Sequence, residues 1–179
     1  GRRLERPHVS TLYIGGGTPS LMRSDRLVRL VEVLDGCFAL AEDLELTLEA
    51  NPDSLDSPER VRDLARVGVN RISLGLQSLD NEQLGLLQRP HTVPQGLRAV
   101  DAVRSGGIDN LGLDFLWGLP GQTSEDWLRQ VKWAASLEPE HISCYGLTLE
   151  EGTLLRRRVE HGELDLPGEE ALETMYIRG

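Results

Sequence analysis

The sequence, 179 residues long, predicts an α/β fold built on a parallel sheet. Three observations predict it. Short apolar runs rich in β-branched and aromatic residues alternate with stretches whose apolar residues recur at helical spacing. Five strand patterns are each followed by a helical one, which implies parallel pairing through right-handed crossovers. Runs such as Leu111 to Leu116 are nearly continuous in apolar residues, as strands covered on both faces require. Periodicity alone leaves an open doubly wound sheet and part of a barrel as alternatives.

The elements follow in order. Val9 to Ile14 reads as the first strand, leading into Gly15-Gly16-Gly17-Thr18-Pro19-Ser20. Ser24 is placed to cap a helix carrying Leu27, Leu30, Val31 and Leu34 on one side. Leu44 to Glu49 is the second strand, and Ala50 to Asp53 a turn. Ser57 then caps a helix with Pro58 at its first position, Val61, Leu64 and Ala65 on its buried side, and Gly68 at its end. Arg71 to Leu76 forms the third strand and runs into Gln77-Ser78. Asp80 opens a short helix through Leu87, and a longer one spans about Thr92 to Ser105 before Gly106-Gly107. After the fourth strand come Trp117 to Gln122. Thr123 and Asp126 then have capping-box spacing for a helix with Trp127, Val131, Ala134 and Ala135 inside. Ile142 to Thr148 is the fifth strand, followed by helices to about Glu160 and from Glu169.

Composition narrows the partners. Hydrophobic residues at 39% and charged residues at 27% describe an ordinary globular chain of one domain. A net charge of −10 disfavours nucleic acid and anionic membrane surfaces. Arg156-Arg157-Arg158, flanked by Glu150, Glu151 and Glu160, reads as a solvated helix face. No apolar run approaches the roughly 18 residues of a membrane span. Cys37 and Cys144 form neither a disulfide framework nor a metal knuckle; both read as packing residues, and the cytoplasm is the expected compartment. The chain starts at Gly1 without methionine and stops at Gly179 within a helical pattern, as a piece of a longer protein would.

In a parallel α/β fold, ligands gather at the carboxyl ends of strands. Those ends carry Gly15 to Thr18, Glu49 with Asn51, Gln77, and Asp114 before Gly118, with Arg89 following Gln77. Three successive glycines are kept where the main chain needs unusual torsions or bare approach to something. A carboxylate between Leu113 and Phe115 is expensive to bury without partners. The set favours a polar ligand. It contains no nucleophile–base pair, and the four histidines are scattered without metal-ligand spacing.

Several motifs carry a resemblance. They are Gly-Gly-Gly-Thr-Pro-Ser at 15–20, Glu-Ala-Asn-Pro at 49–52, Ser-Leu-Gly-Leu-Gln-Ser at 73–78 and Gln-Arg-Pro-His-Thr at 88–92. Leu-Asp-Phe-Leu-Trp-Gly-Leu-Pro-Gly-Gln-Thr at 113–123 completes the set. In this order they resemble the radical S-adenosylmethionine (SAM) proteins of the oxygen-independent coproporphyrinogen III oxidase group. His-Ile-Ser-Cys-Tyr-Gly-Leu-Thr-Leu-Glu-Glu-Gly-Thr at 141–153 and Gly-Glu-Leu-Asp-Leu-Pro at 162–167 are similar to its haem-chaperone (HemW) branch.

The resemblance implies a partial (β/α)6 radical SAM barrel, truncated at both ends. Residues 1–179 would be an incomplete core domain, without the first strand, the CxxxCxxC cluster loop and the C-terminal domain. It implies SAM as cofactor, held by Gly16, Gly17, Thr18, Glu49, Gln77, Arg89 and Asp114. By this carry-over the glycine backbone approaches the methionine moiety, Arg89 takes its carboxylate, and Glu49 faces its ammonium or sulfonium. Gln77 and Asp114 bond the ribose hydroxyls. A [4Fe–4S] cluster is implied with ligands outside this segment, haem or a porphyrin as further ligand, and a haem-accepting protein as partner. No catalytic side chain and no metal ligand is assigned within the segment. The branch implies a haem chaperone. The alternatives are an oxidase converting coproporphyrinogen III to protoporphyrinogen IX and a non-enzymatic haem-binding protein on the same scaffold. Without its first strand, the strand at Thr11 would present an unpaired edge, and the isolated segment is expected to express poorly as a soluble monomer.

Overall fold

β-Branched and aromatic residues concentrate in the first strand, and glycines end it. In the computed structural model, which describes residues 6–179, the strands are β1 (His8–Ile14), β2 (Ala39–Ala50), β3 (Arg71–Gln77), β4 (Asn110–Trp117) and β5 (His141–Gly146). They form one sheet in sequence order, with β1 at one end. The helices are α1 (Ser24–Cys37), α2 (Pro58–Val67), α3 (Asn81–Leu86), α4 (Val93–Ser105), α5 (Ser124–Ser136), α6 (Leu154–Glu160) and α7 (Glu169–Arg178). The polar start that the sequence shows before Arg6 lies outside the described residues.

Two compact units divide the chain. The first holds residues up to Leu74 together with Leu97–Leu111. Here β1 pairs in parallel with β2, from Thr11 opposite Glu45 to Ile14 opposite Leu48, after a register shift past Val9. β2 pairs in parallel with β3, from Thr47 opposite Arg71 to Ala50 opposite Leu74. Leu27, Leu46, Leu48, Val61, Leu64, Ile72 and Leu74 are its buried core. Ser57 caps α2 by accepting from the Arg60 N–H, with Pro58 behind it and Gly68 at φ 108° closing it. A Cβ on Gly106 would stand 2.4 Å from Val61, so glycine lets the end of α4 press against α2.

The second unit holds Gly75–Gly96 and Gly112–Gly179. β4 pairs in parallel with β5 from Gly112 opposite His141 to Trp117 opposite Gly146. Leu76, Leu84, Leu113, Phe115, Leu119, Trp127, Ala134 and Met175 are buried. The Trp127 indole donates to the Met175 carbonyl at 3.2 Å, tying α5 to α7. Thr123 and Asp126 close the expected capping box.

Three expectations change. Arg23 rather than Ser24 occupies the N-cap of α1, without a side-chain bond, and Ser24 is already helical. β2 starts at Ala39, because the start of β1 pairs with it there. Both cysteines are exposed rather than packed. Cys37 ends α1 on a solvent-facing turn, and Cys144 lies on a largely exposed strand, where partial desolvation still pushes its thiol pKa up.

Candidate functional site

In the first unit, the end of β1 delivers a loop whose backbone favours glycine. Gly16 and Gly17 have φ of 89° and 60°, in the left-handed region. The Gly16 N–H donates to Glu49 Oε2 at 2.9 Å, and the Tyr13 hydroxyl donates to Glu49 Oε1 at 2.9 Å. A Cβ on Gly15 would stand 2.8 Å from the same carboxylate, so the Glu49 side chain lies directly against the bare backbone there. Glu49 is thus brought to the glycine loop and already bound to it. An ionised carboxylate offers about four acceptor positions, so a cation can still be taken.

The loop continues into a fastened segment. Thr18 Oγ1 accepts from Asn51 Nδ2 at 3.1 Å. The buried Ser20 hydroxyl lies 2.5 Å from Ser54 Oγ. Ser54 gives its own proton to the Asn51 carbonyl at 2.7 Å, so Ser20 is the donor. Arg60, on α2, spans the segment from outside, donating to the Ser20 carbonyl at 2.7 Å, the Met22 carbonyl at 2.6 Å and Ser24 Oγ at 3.1 Å. Sequence reasoning missed Tyr13 and Arg60, since nothing in a helical stripe marks an arginine as a clamp on a loop 40 residues away.

In the second unit, Gln77, Arg89 and Asp114 are each half-buried. Gln77 ends β3 at φ 64°. Asp114 sits between the fully buried Leu113 and Phe115 and opposite Ser143 of β5. Arg89 lies in the connection from α3 to α4, with its Nε buried and without a partner among the described residues. Burial lowers its pKa below the ordinary guanidinium value. A desolvated cation with an orphaned donor fits an anionic group such as a carboxylate. His91, fully inside, lies 3.2 Å from the Leu76 carbonyl and serves packing.

Behind Gln77 lies a buried amide group that the sequence does not single out. Gln83, Gln122 and Gln130 are buried, and they floor a cavity of about 390 Å³ rimmed by Asp80, Arg129, Lys132 and Trp133. A second cavity of about 170 Å³ is lined by Trp117, Gly118, Gly146, Leu147, Leu166 and Leu172. A Cβ on Gly146 would stand 3.3 Å from the Trp117 ring, so that wall is flat. Among the described residues no group of His, Cys, Asp or Glu could hold a metal ion. The residues present therefore do not fit an iron–sulfur cluster.

The radical SAM superfamily profile matches residues 2–134. The haem chaperone HemW of Mycobacterium tuberculosis H37Rv is 38% identical over 97% of this chain and 44% of its own length. HemW of Escherichia coli K12 is 38% identical over 96% of this chain and 44% of its own. The mitochondrial radical SAM domain-containing protein 1 of Mus musculus is 39% identical over 96% of this chain and 38% of its own. The chain thus spans less than half the length of these relatives. Among solved structures, the E. coli coproporphyrinogen III oxidase HemN, a radical SAM enzyme, superposes with a TM-score of 0.80. It shares 27% identity over 94% of this chain and 38% of its own. Five parallel strands with helices match its partial barrel.

Proposed function

Because the chain belongs to the radical SAM superfamily, we propose that it is the SAM-holding part of a haem chaperone of the HemW kind. Residues 1–179 would then be a portion of the radical SAM core domain. The half-buried guanidinium of Arg89, whose Nε has no partner among the described residues, carries the SAM reading. Relatives named as HemW at 38% identity support the chaperone reading.

Each residue has a stated task. Gly16 and Gly17 give the methionine moiety an approach free of side chains, beside Thr18. Arg89 takes the carboxylate as a charge-assisted pair. Glu49, fixed by the Gly16 N–H and Tyr13, spends its remaining acceptor positions on the ammonium. Gln77 and Asp114 bond the ribose hydroxyls. Bound SAM supplies radical chemistry in this superfamily, and the chain's own residues bind and orient it. Haem and a haem-accepting protein belong to this proposal. No helix among the described residues is long and apolar enough to cross a membrane. A cytoplasmic location is likewise proposed, although some relatives are named mitochondrial.

The likeness to HemN favours a second reading, oxidation of coproporphyrinogen III. In the protein that carries this chain, calorimetry with SAM tests the site, and Arg89→Ala is expected to weaken binding at least about tenfold. Unchanged affinity would reject it. Absorbance titration with haem then separates the readings. The chaperone binds haem and releases no carbon dioxide from coproporphyrinogen III, whereas the oxidase releases it in the presence of SAM.

A further inference from the structure

Gln77 adopts a conformation that its residue type resists. Its φ is 64°, and across it the Ser78 N–H donates to the Leu76 carbonyl at 2.7 Å. A hydrogen bond closing over two residues around a positive φ is a γ-turn of the rare, strained kind. Such strain survives only where the surroundings over-determine it. Glycine would relieve it, yet a glutamine stands here.

The next two residues show what holds the turn. Gln130 Oε1 accepts from the Leu79 N–H at 2.9 Å and lies 2.9 Å from Ser78 Oγ. The one Ser78 hydroxyl proton is shared between Gln130 Oε1 and Gln83 Oε1, which lies 2.8 Å away, and the Ser78 oxygen accepts from the Asp80 N–H at 3.1 Å. Ser78 is 1% exposed and Gln130 6%. The Leu79 N–H decides which Gln130 atom faces the turn, because only the oxygen can accept.

Gln130 itself gains little from this arrangement. Its Nε2 is buried without a partner among the described residues, and an unsatisfied buried donor is destabilising. It stands on α5 between the buried Trp127 and Ala134, where an apolar side chain of similar size would leave no such donor. The Gln130 oxygen is the atom that meets the turn. We propose that Gln130 is a positioning residue: gripping Ser78 and Leu79, it keeps the Gln77 γ-turn closed and the Gln77 side chain set for SAM. The inference rests on the SAM reading of Gln77 given above.

A double-mutant cycle on the protein that carries this chain tests it, with SAM affinity read by calorimetry and folding by thermal melts. Gln130→Leu is expected to weaken SAM binding about tenfold in the natural background and less than about twofold beside Gln77→Ala, the signature of two residues acting through one contact. Ser78→Ala, which deletes the hydroxyl that Gln130 grips, should show the same coupling and serves if the leucine variant misfolds. Gln130→Glu, which keeps an acceptor oxygen, should restore most of the affinity. Equal weakening in both backgrounds would mean a merely structural role and overturn the proposal. So would weakening by Gln77→Ala with none by Gln130→Leu or Ser78→Ala. If Gln77→Ala alone leaves SAM affinity unchanged, the SAM reading of Gln77 falls first and this proposal falls with it.

Discussion

Two strand ends in this molecule enter the left-handed region by opposite means. After β1, Gly16 and Gly17 reach φ of 89° and 60° without a side chain to strain. At the end of β3, Gln77 reaches 64° with its side chain in place, and buried amides hold it there. The first loop needs bare main chain and spends glycines to obtain it. The second needs an amide at that position and accepts the strain. At 16 and 17 glycine frees the main chain for close approach, whereas at 77 a glutamine keeps its side chain at the cost of backbone strain.

Four substitutions break or sharpen this contrast. The largest effect is expected from Arg60→Ala, which removes the donors fastening Ser20, Met22 and Ser24 beyond the glycine loop. It should lower stability by about 2–3 kcal/mol in denaturant melts and weaken SAM binding as well. Gly16→Val comes next. A β-branched side chain at that φ should cost about 2 kcal/mol and reduce SAM affinity at least tenfold by calorimetry. If it binds SAM normally, the loop is not the bare approach described here.

Gln77→Gly should move stability in the opposite direction, by about +1 kcal/mol, as the turn loses its strain. SAM affinity should nevertheless fall. A destabilised glycine variant would end the contrast, because it would show that no strain was stored.

The smallest effect is expected at Asp126, which caps the helix carrying Gln130. The Thr123 hydroxyl, its backbone N–H and the nearby Arg129 hold the Asp126 carboxyl below its usual range. A depressed carboxylate stabilises fully above its unfolded pKa, and the benefit fades as pH falls through the folded value. Asp126→Asn should therefore cost up to about 0.5 kcal/mol near neutral pH at this solvent-screened site, and the gap should shrink as pH falls below the unfolded carboxylate value of about 3.9. Urea melts across that range check the sign.

Much of this was legible in the sequence, for local reasons. Ser57-Pro58, Gly68 and the Thr123–Asp126 pair announce helix boundaries through side chains that act within one turn. The placement of the glycines, Glu49 and Gln77 at strand ends follows from alternation alone, whereas Asp114 lies within β4. What stayed hidden depends on distance. A serine at 24 suits the N-cap and the first helical position equally, and only the extended backbone of Arg23 decides. Gln130 falls beside Val131, which the helical stripe assigns to the interior, and its partner Ser78 lies 52 residues away. That Gly15 lies against the Glu49 carboxylate becomes visible only when β1 and β2 are paired.

The bonds from Tyr13 and Gly16 to Glu49 have one more consequence. Three consecutive glycines are the stretch of chain with the most conformational freedom to lose, and in a loose loop that loss would fall on ligand binding. Here it falls on folding, because Glu49 freezes the loop before any ligand arrives. An incoming molecule meets a surface already ordered, so its affinity is not eroded by arranging the chain. Its association can proceed without waiting for a rearrangement.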